Sequence, residues 1–133
     1  MSEIWIKGGI ALTMNPQREV IGNSLIKIRD GRIAEIGEMT ETNRADSVPK
    51  EVAVWDATNM IVMPGMVNAH THSPMTLLRG TADDLCLMDW LTTKIFPSEQ
   101  RWGSEVFVEQ GTRLAAAEMI RSGTTMFNDM YFF

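Results

Sequence analysis

The stretch Ile61-Val62-Met63-Pro64-Gly65-Met66-Val67-Asn68-Ala69-His70-Thr71-His72 decides how the rest of the chain is read. Before Pro64-Gly65 the sequence consists of short β-prone runs joined by turns; after it, strand and helix patterns alternate. Met66 to Ala69 is a short apolar run that leads directly into His70-Thr71-His72. On a strand, residues i and i+2 share a face, so two imidazoles project from one strand end toward one point. A metal ion can use such a pair. A strand cap beside a surface imidazole is the bland reading, and both stand at this point. Position adds weight to the first, because the carboxyl ends of parallel strands are where α/β enzymes carry their catalytic groups.

Upstream, Ile4-Trp5-Ile6 runs into Gly8-Gly9, and Ile10 to Met14 forms a second strand ending at the turn Asn15-Pro16-Gln17-Arg18. Leu25, Ile26 and Ile28 lead to Asp30-Gly31, followed by Ile33, Ala34 and Ile36. Asp-Gly between alternating runs predicts a type I′ hairpin, which needs positive φ at both central positions. Residues 38–50 are polar and aperiodic and read as a surface loop. Val52 to Asp56 and Met60 to Met63 read as further strands. Downstream, Met75 to Leu78 suits a helical turn, and Leu87 to Phe96 a short helix stopped by Pro97. The clearest helix opens at Ser104, a good N-cap, with Glu105 in its first turn, and runs to Arg121. Gly123 is placed to close it, and Thr124 to Phe127 is the next strand.

With 133 residues the chain is long enough for a real core. Twelve Lys+Arg against 17 Asp+Glu leave a formal charge of −5, which argues against a nucleic-acid surface. The apolar run Met60–Val67 is broken by Pro64-Gly65 and far short of the roughly 20 residues that span a bilayer. The start Met1-Ser2-Glu3-Ile4-Trp5 lacks the basic and apolar regions of a secretory signal; with a single cysteine, this favours the cytoplasm.

Two histidines are short of a catalytic zinc site, which commonly takes three protein ligands and water. Asp56, Asp83, Asp84, Asp89, Glu99 and Asp129 could supply oxygen ligands. Asp129 is the most suggestive, since it follows the second strand, although a turn or cap role suits it equally. Trp90, Leu91, Ile95, Phe96 and Trp102 read first as packing residues, with an aromatic-substrate role as the lesser alternative. Glu99 is solvent-facing by default, and Cys86, between Leu85 and Leu87, reads as a buried, inert thiol. No Gly-rich phosphate loop and no GxSxG elbow occurs.

Taken together, the residues 61–72 motif resembles the first-strand signature of the metal-dependent amidohydrolase superfamily. Pro74 to Gly80, Leu87-Met88-Asp89-Trp90-Leu91, Phe96-Pro97-Ser98-Glu99, Leu114 to Thr125 and Phe127 to Phe133 narrow the resemblance. They look like the methylthioadenosine/S-adenosylhomocysteine deaminases and their chlorohydrolase relatives, N-terminal portion only. The resemblance implies an α/β fold, the N-terminal part of a (β/α)8 barrel with a small β-sandwich domain. Residues 1–60 would belong to the composite sandwich and residues 61–133 to the first βα units of the barrel, which typically needs ~250 residues in all.

It further implies one divalent metal, zinc first with Fe2+ or Mn2+ as alternatives, held by His70 and His72 together with ligands from later strands. Glu99 matches the substrate-contacting glutamate, and Trp90 a pocket-lining residue. The later histidines and the proton-moving aspartate have no counterpart here, so no catalytic residue is assigned in this chain, and it is expected to be incomplete and inactive alone. The implied reaction is hydrolytic deamination of an adenine nucleoside, a small-molecule partner, with a homo-oligomer admitted and neither nucleic acid nor membrane expected. The rivals are a triazine or other heterocycle hydrolase, and a non-catalytic truncated paralogue or assembly module.

Overall fold

The computed structural model describes residues 3–41 and 48–132. The chain divides into two compact units, Met1–Pro64 and Gly65–Phe133.

The first unit is built on two sheets. In the larger, β1 (Glu3–Lys7) lies between β4 (Ser24–Arg29), antiparallel, and β6 (Ala53–Asp56), parallel, with β5 (Arg32–Glu38) outside β4. The smaller sheet places β2 (Ile10–Leu12) between β3 (Val20–Gly22) and β7 (Ile61–Val62). Alternation explains the faces: Ile6, Ile26 and Ile28 of the large sheet and Ala11 and Val62 of the small one line a shared apolar cavity of about 210 Å³. Asp30 and Gly31 adopt φ of 49° and 75°, the left-handed pair that a type I′ turn requires, and Arg29 pairs with Arg32 across it. Strand β3 has no counterpart in the sequence reading; it is short, and only Val20-Ile21 carries β propensity. The division falls at Pro64–Gly65 rather than after residue 60, because Ile61 and Val62 pair with Ile10 and Ala11 of β2. The polar loop expected over 38–50 begins later, since β5 reaches Glu38, and residues 42–47 lie outside the described residues.

The second unit is one parallel strand pair with its helical crossover. β8 (Met66–Thr71) pairs with β9 (Thr124–Asp129), bringing Thr71 opposite Asp129. Between them run a 3-10 segment (Ser73–Leu78), α1 (Leu87–Trp90), a π-helical turn (Leu91–Ile95), α2 (Phe96–Trp102) and α3 (Glu105–Arg121). Ser104 caps α3 by accepting from the Phe107 amide at 3.2 Å, and Gly123 takes φ 86° just past its end. Pro97 does not stop the helix, contrary to the sequence reading. It sits in the first turn of α2, where its missing N–H is no loss, and the π turn ahead of it absorbs the irregularity, with the Phe96 amide reaching the Leu91 carbonyl.

Helix α3 rests on the 3-10 segment at a point only glycine permits. A Cβ on Gly111 would lie 2.5 Å from the Pro74 carbonyl oxygen and 2.7 Å from its Cα. On an exposed helix, Gly→Ala is favourable by about 1 kcal/mol. Here the obstructing atoms are backbone, so Gly111→Ala is expected to lower stability by roughly 1–3 kcal/mol, read as an earlier urea midpoint. A midpoint that rises would mean the contact is looser than the geometry shows.

Candidate functional site

His70 and His72 leave the carboxyl end of β8 on one side of the strand. Their ring centroids are 5.2 Å apart with planes at 79°, and the two Nε2 atoms approach to 3.3 Å. Two Zn–N bonds of about 2.0–2.1 Å at a tetrahedral angle separate the nitrogens by about 3.3–3.4 Å, so the pair matches one edge of such a site. The carbonyl of Met130 lies 2.9 Å from His72 Nδ1. A carbonyl only accepts, so Nδ1 carries the proton and Nε2 presents its lone pair outward, the tautomer a metal ligand needs. The strand end is pinned further by the Met130 amide donating to the Thr71 carbonyl at 2.8 Å and by the His70 amide donating to Asn68 Oδ1 at 3.3 Å. Among the described residues no third His, Cys, Asp or Glu joins the pair.

Asp129 is not turned toward the imidazoles as a ligand. It accepts from the Ser73 amide at 3.0 Å through Oδ1 and from the Ser73 hydroxyl through Oδ2, and that hydroxyl also pairs with Thr112 Oγ1 at 2.9 Å. The 3-10 segment has no side-chain cap of its own at His72, so a carboxylate from the neighbouring strand satisfies its first amide. Of the two roles open to Asp129 in the sequence, the structure selects the cap.

His72, Trp90 and Glu99 meet in one cavity of about 320 Å³, with Met75, Phe96 and Tyr131 also in its wall. Glu99 is half-buried rather than solvent-facing, and its Oε1 accepts from the Tyr131 hydroxyl at 2.7 Å. Burial, and then the Glu99 carboxylate, push the Tyr131 phenol well above its ordinary range, so it stands as a neutral donor. Trp90 donates from Nε1 to the Thr81 carbonyl at 2.9 Å and, with His72 and Met75, also borders a second cavity of about 380 Å³ that contains Arg79 and Asp83. Arg79 reaches Glu118 of α3 through two bonds, 3.0 and 2.5 Å, which hold the Glu118 carboxyl below its usual range.

The π turn explains how Trp90 and Glu99 come to share a cavity. Nine α-helical steps would leave them on roughly opposite faces. The wider i→i+5 closure takes a smaller angle per residue and rotates Glu99 back toward the Trp90 side. Sequence patterning carries no signal for this, nor for the part played by Tyr131. Of the remaining packing residues, Ile95 is fully buried, while Phe96 and Trp102 are more than half exposed. Cys86 is exposed, not buried, because it precedes α1 in the irregular segment.

A parallel β–helix–β unit with converging imidazoles at a strand's carboxyl end is an α/β architecture with a candidate metal-holding edge. The amidohydrolase family profile matches residues 61–133, and the chain belongs to that family. It is 47% identical over 128 residues to the 5-methylthioadenosine/S-adenosylhomocysteine deaminase of Thermodesulfovibrio yellowstonii, covering 96% of this chain and 29% of that protein. It is 49% identical over 133 residues to the 5′-deoxyadenosine deaminase of Methanosarcina mazei, covering 100% of this chain and 29% of that one. Among solved structures, a zinc-bound adenosine deaminase from Xanthomonas campestris superposes with a TM-score of 0.79 at 38% identity, over 99% of this chain and 29% of that chain. The zinc complex of atrazine chlorohydrolase from Arthrobacter aurescens TC1 shares the fold at a TM-score of 0.80 and 22% identity, over 98% of this chain and 29% of its own. The chain therefore spans about 29% of the length of the curated relatives it matches.

Proposed function

We propose that these residues form the opening part of a metal-dependent hydrolase that deaminates adenine nucleosides, of the methylthioadenosine, S-adenosylhomocysteine or 5′-deoxyadenosine kind. The observation that carries the reading is the convergence of the two Nε2 atoms at 3.3 Å beside the cavity that holds Trp90 and Glu99. A parallel strand pair is normally covered on both faces, yet Val67 of β8 and Met126 of β9 are 62% and 64% exposed. That supports further strands and helices closing a (β/α)8 barrel around them, with the first unit as part of a composite β-sandwich.

His70 and His72 would hold one divalent ion, zinc by the chemistry of imidazole ligands and by its presence in related structures. When bound, it supplies a water acidic enough to act as hydroxide near neutral pH. The Met130 carbonyl keeps His72 in the ligating tautomer. Trp90 offers a flat apolar wall for the purine, and Glu99 accepts from the ribose hydroxyls, so the nucleoside lies with its base toward the imidazoles. A cavity of about 320 Å³ is within the range of small-molecule sites.

The test uses the full-length protein, stripped with chelator and reloaded with zinc. Ammonia release from methylthioadenosine, S-adenosylhomocysteine and 5′-deoxyadenosine is expected, well above any turnover of a chlorotriazine. Preference for the triazine, or turnover undiminished by chelation, would sink the reading.

A further inference from the structure

We propose that Tyr131 is a positioning residue for Glu99 and thereby sets a preference for substrates with an intact ribose diol; the inference rests on the nucleoside reading above. Two consecutive residues just past the end of β9 grip the two ends of the cavity. The Met130 carbonyl holds His72 Nδ1 at 2.9 Å, and the next residue, Tyr131, donates to Glu99 Oε1 at 2.7 Å. One short backbone segment therefore fixes the spacing between the imidazole end, where the base would react, and the carboxylate that would hold the sugar.

The chemistry of the carboxylate fits this division. A carboxylate offers about four lone-pair sites, and the phenol takes one of those on Oε1. The rest can accept both hydroxyls of a vicinal diol, provided the group is held still. Glu99 sits on a helix with several rotamers open to it, and a carboxylate in the wrong rotamer meets neither hydroxyl. Tyr131 is well suited to the task. Its ring stacks on Phe132 with centroids 4.8 Å apart and planes at 22°, and its phenol stays protonated, so it donates throughout the working pH range. Tyr131 touches no reacting atom in this scheme; it acts through Glu99.

Tyr131→Phe in the full-length protein keeps the stacked ring and removes one hydroxyl. KM for adenine ribosides is expected to rise roughly tenfold, as for loss of one hydrogen bond to a charged acceptor, with kcat held within about threefold. The discrimination between a riboside and its 2′-deoxy analogue should shrink by a similar factor. In a Glu99→Ala background the same change should do nothing more, because the positioned group is gone. Near-ultraviolet circular dichroism matching wild type checks that the fold is retained. An equal effect in the Glu99→Ala background, or a fall in kcat with KM unchanged, overturns the positioning role and leaves Tyr131 as packing. Wild-type protein that neither binds nor deaminates adenine ribosides overturns the site reading itself, and this inference with it. Wild-type protein that acts on ribosides but is indifferent to Tyr131→Phe overturns this inference alone.

Discussion

His72→Ala in the full-length protein is expected to remove the metal and with it the activity. Loss of a partner that merely orients a ligand typically lowers metal affinity about 10–100-fold, so loss of the ligand itself should exceed that. The geometry gives the reason. His72 contributes one of two nitrogens on the 3.3 Å edge, and its ring is the one held by a backbone carbonyl. The alternative account of the pair is a hydrogen bond between two exposed imidazoles, with His70 donating to His72. Such a contact is worth only about 1 kcal/mol, and its loss would leave chemistry unchanged. Metal content measured by mass spectrometry after dialysis separates the two. The ligand account expects His70→Ala and His72→Ala each to strip the protein, with the double variant little worse than either. Full metal occupancy and normal turnover in His72→Ala would return the pair to a surface contact.

Much of the fold was legible in the chain because local chemistry and tertiary structure agree. Asp30-Gly31 requires a turn that few other residues tolerate, Ser104 caps the long helix that begins at Glu105, and the alternation that sets Ile6, Ile26 and Ile28 against one apolar cavity is that of strands. Motif spacing likewise put both imidazoles on one side of β8. The features that escaped depend on partners distant in sequence. Asp129 is a cap because Ser73, 56 residues away, presents an amide to it. Glu99 faces a cavity because a π turn rotates it and Tyr131, 32 residues on, holds it. Pro97 reads as a stop by propensity and becomes a helix start once the turn before it widens. Cys86 misled for a simpler reason: flanking leucines indicate a buried strand or helix, and it lies in neither.

Asp129→Ala is expected to lower both stability and metal affinity. Its carboxylate takes the Ser73 amide at 3.0 Å and the Ser73 hydroxyl, and Ser73 is only 1% exposed, while Asp129 itself reaches solvent. The hydroxyl retains Thr112 Oγ1 at 2.9 Å, but the amide has no substitute among these contacts. An orphaned buried N–H costs roughly 1–3 kcal/mol, and water entering the exposed position offsets part of this, so a destabilisation of about 1–2 kcal/mol is expected. Asp129→Asn keeps a carbonyl oxygen for the amide and should cost about 1 kcal/mol. Because Ser73 directly follows His72, freeing it also loosens the imidazole, and metal affinity should fall roughly tenfold in the alanine variant. The pair of variants decides between the two roles the sequence left open. A capping carboxylate expects Asn to be mild in both stability and metal content. A ligating carboxylate expects Asp129→Asn to lose metal as completely as His72→Ala while the urea midpoint hardly moves. The hydrogen bonds of Ser73 favour the first outcome, since both carboxylate oxygens already have partners on the residue next to the imidazole.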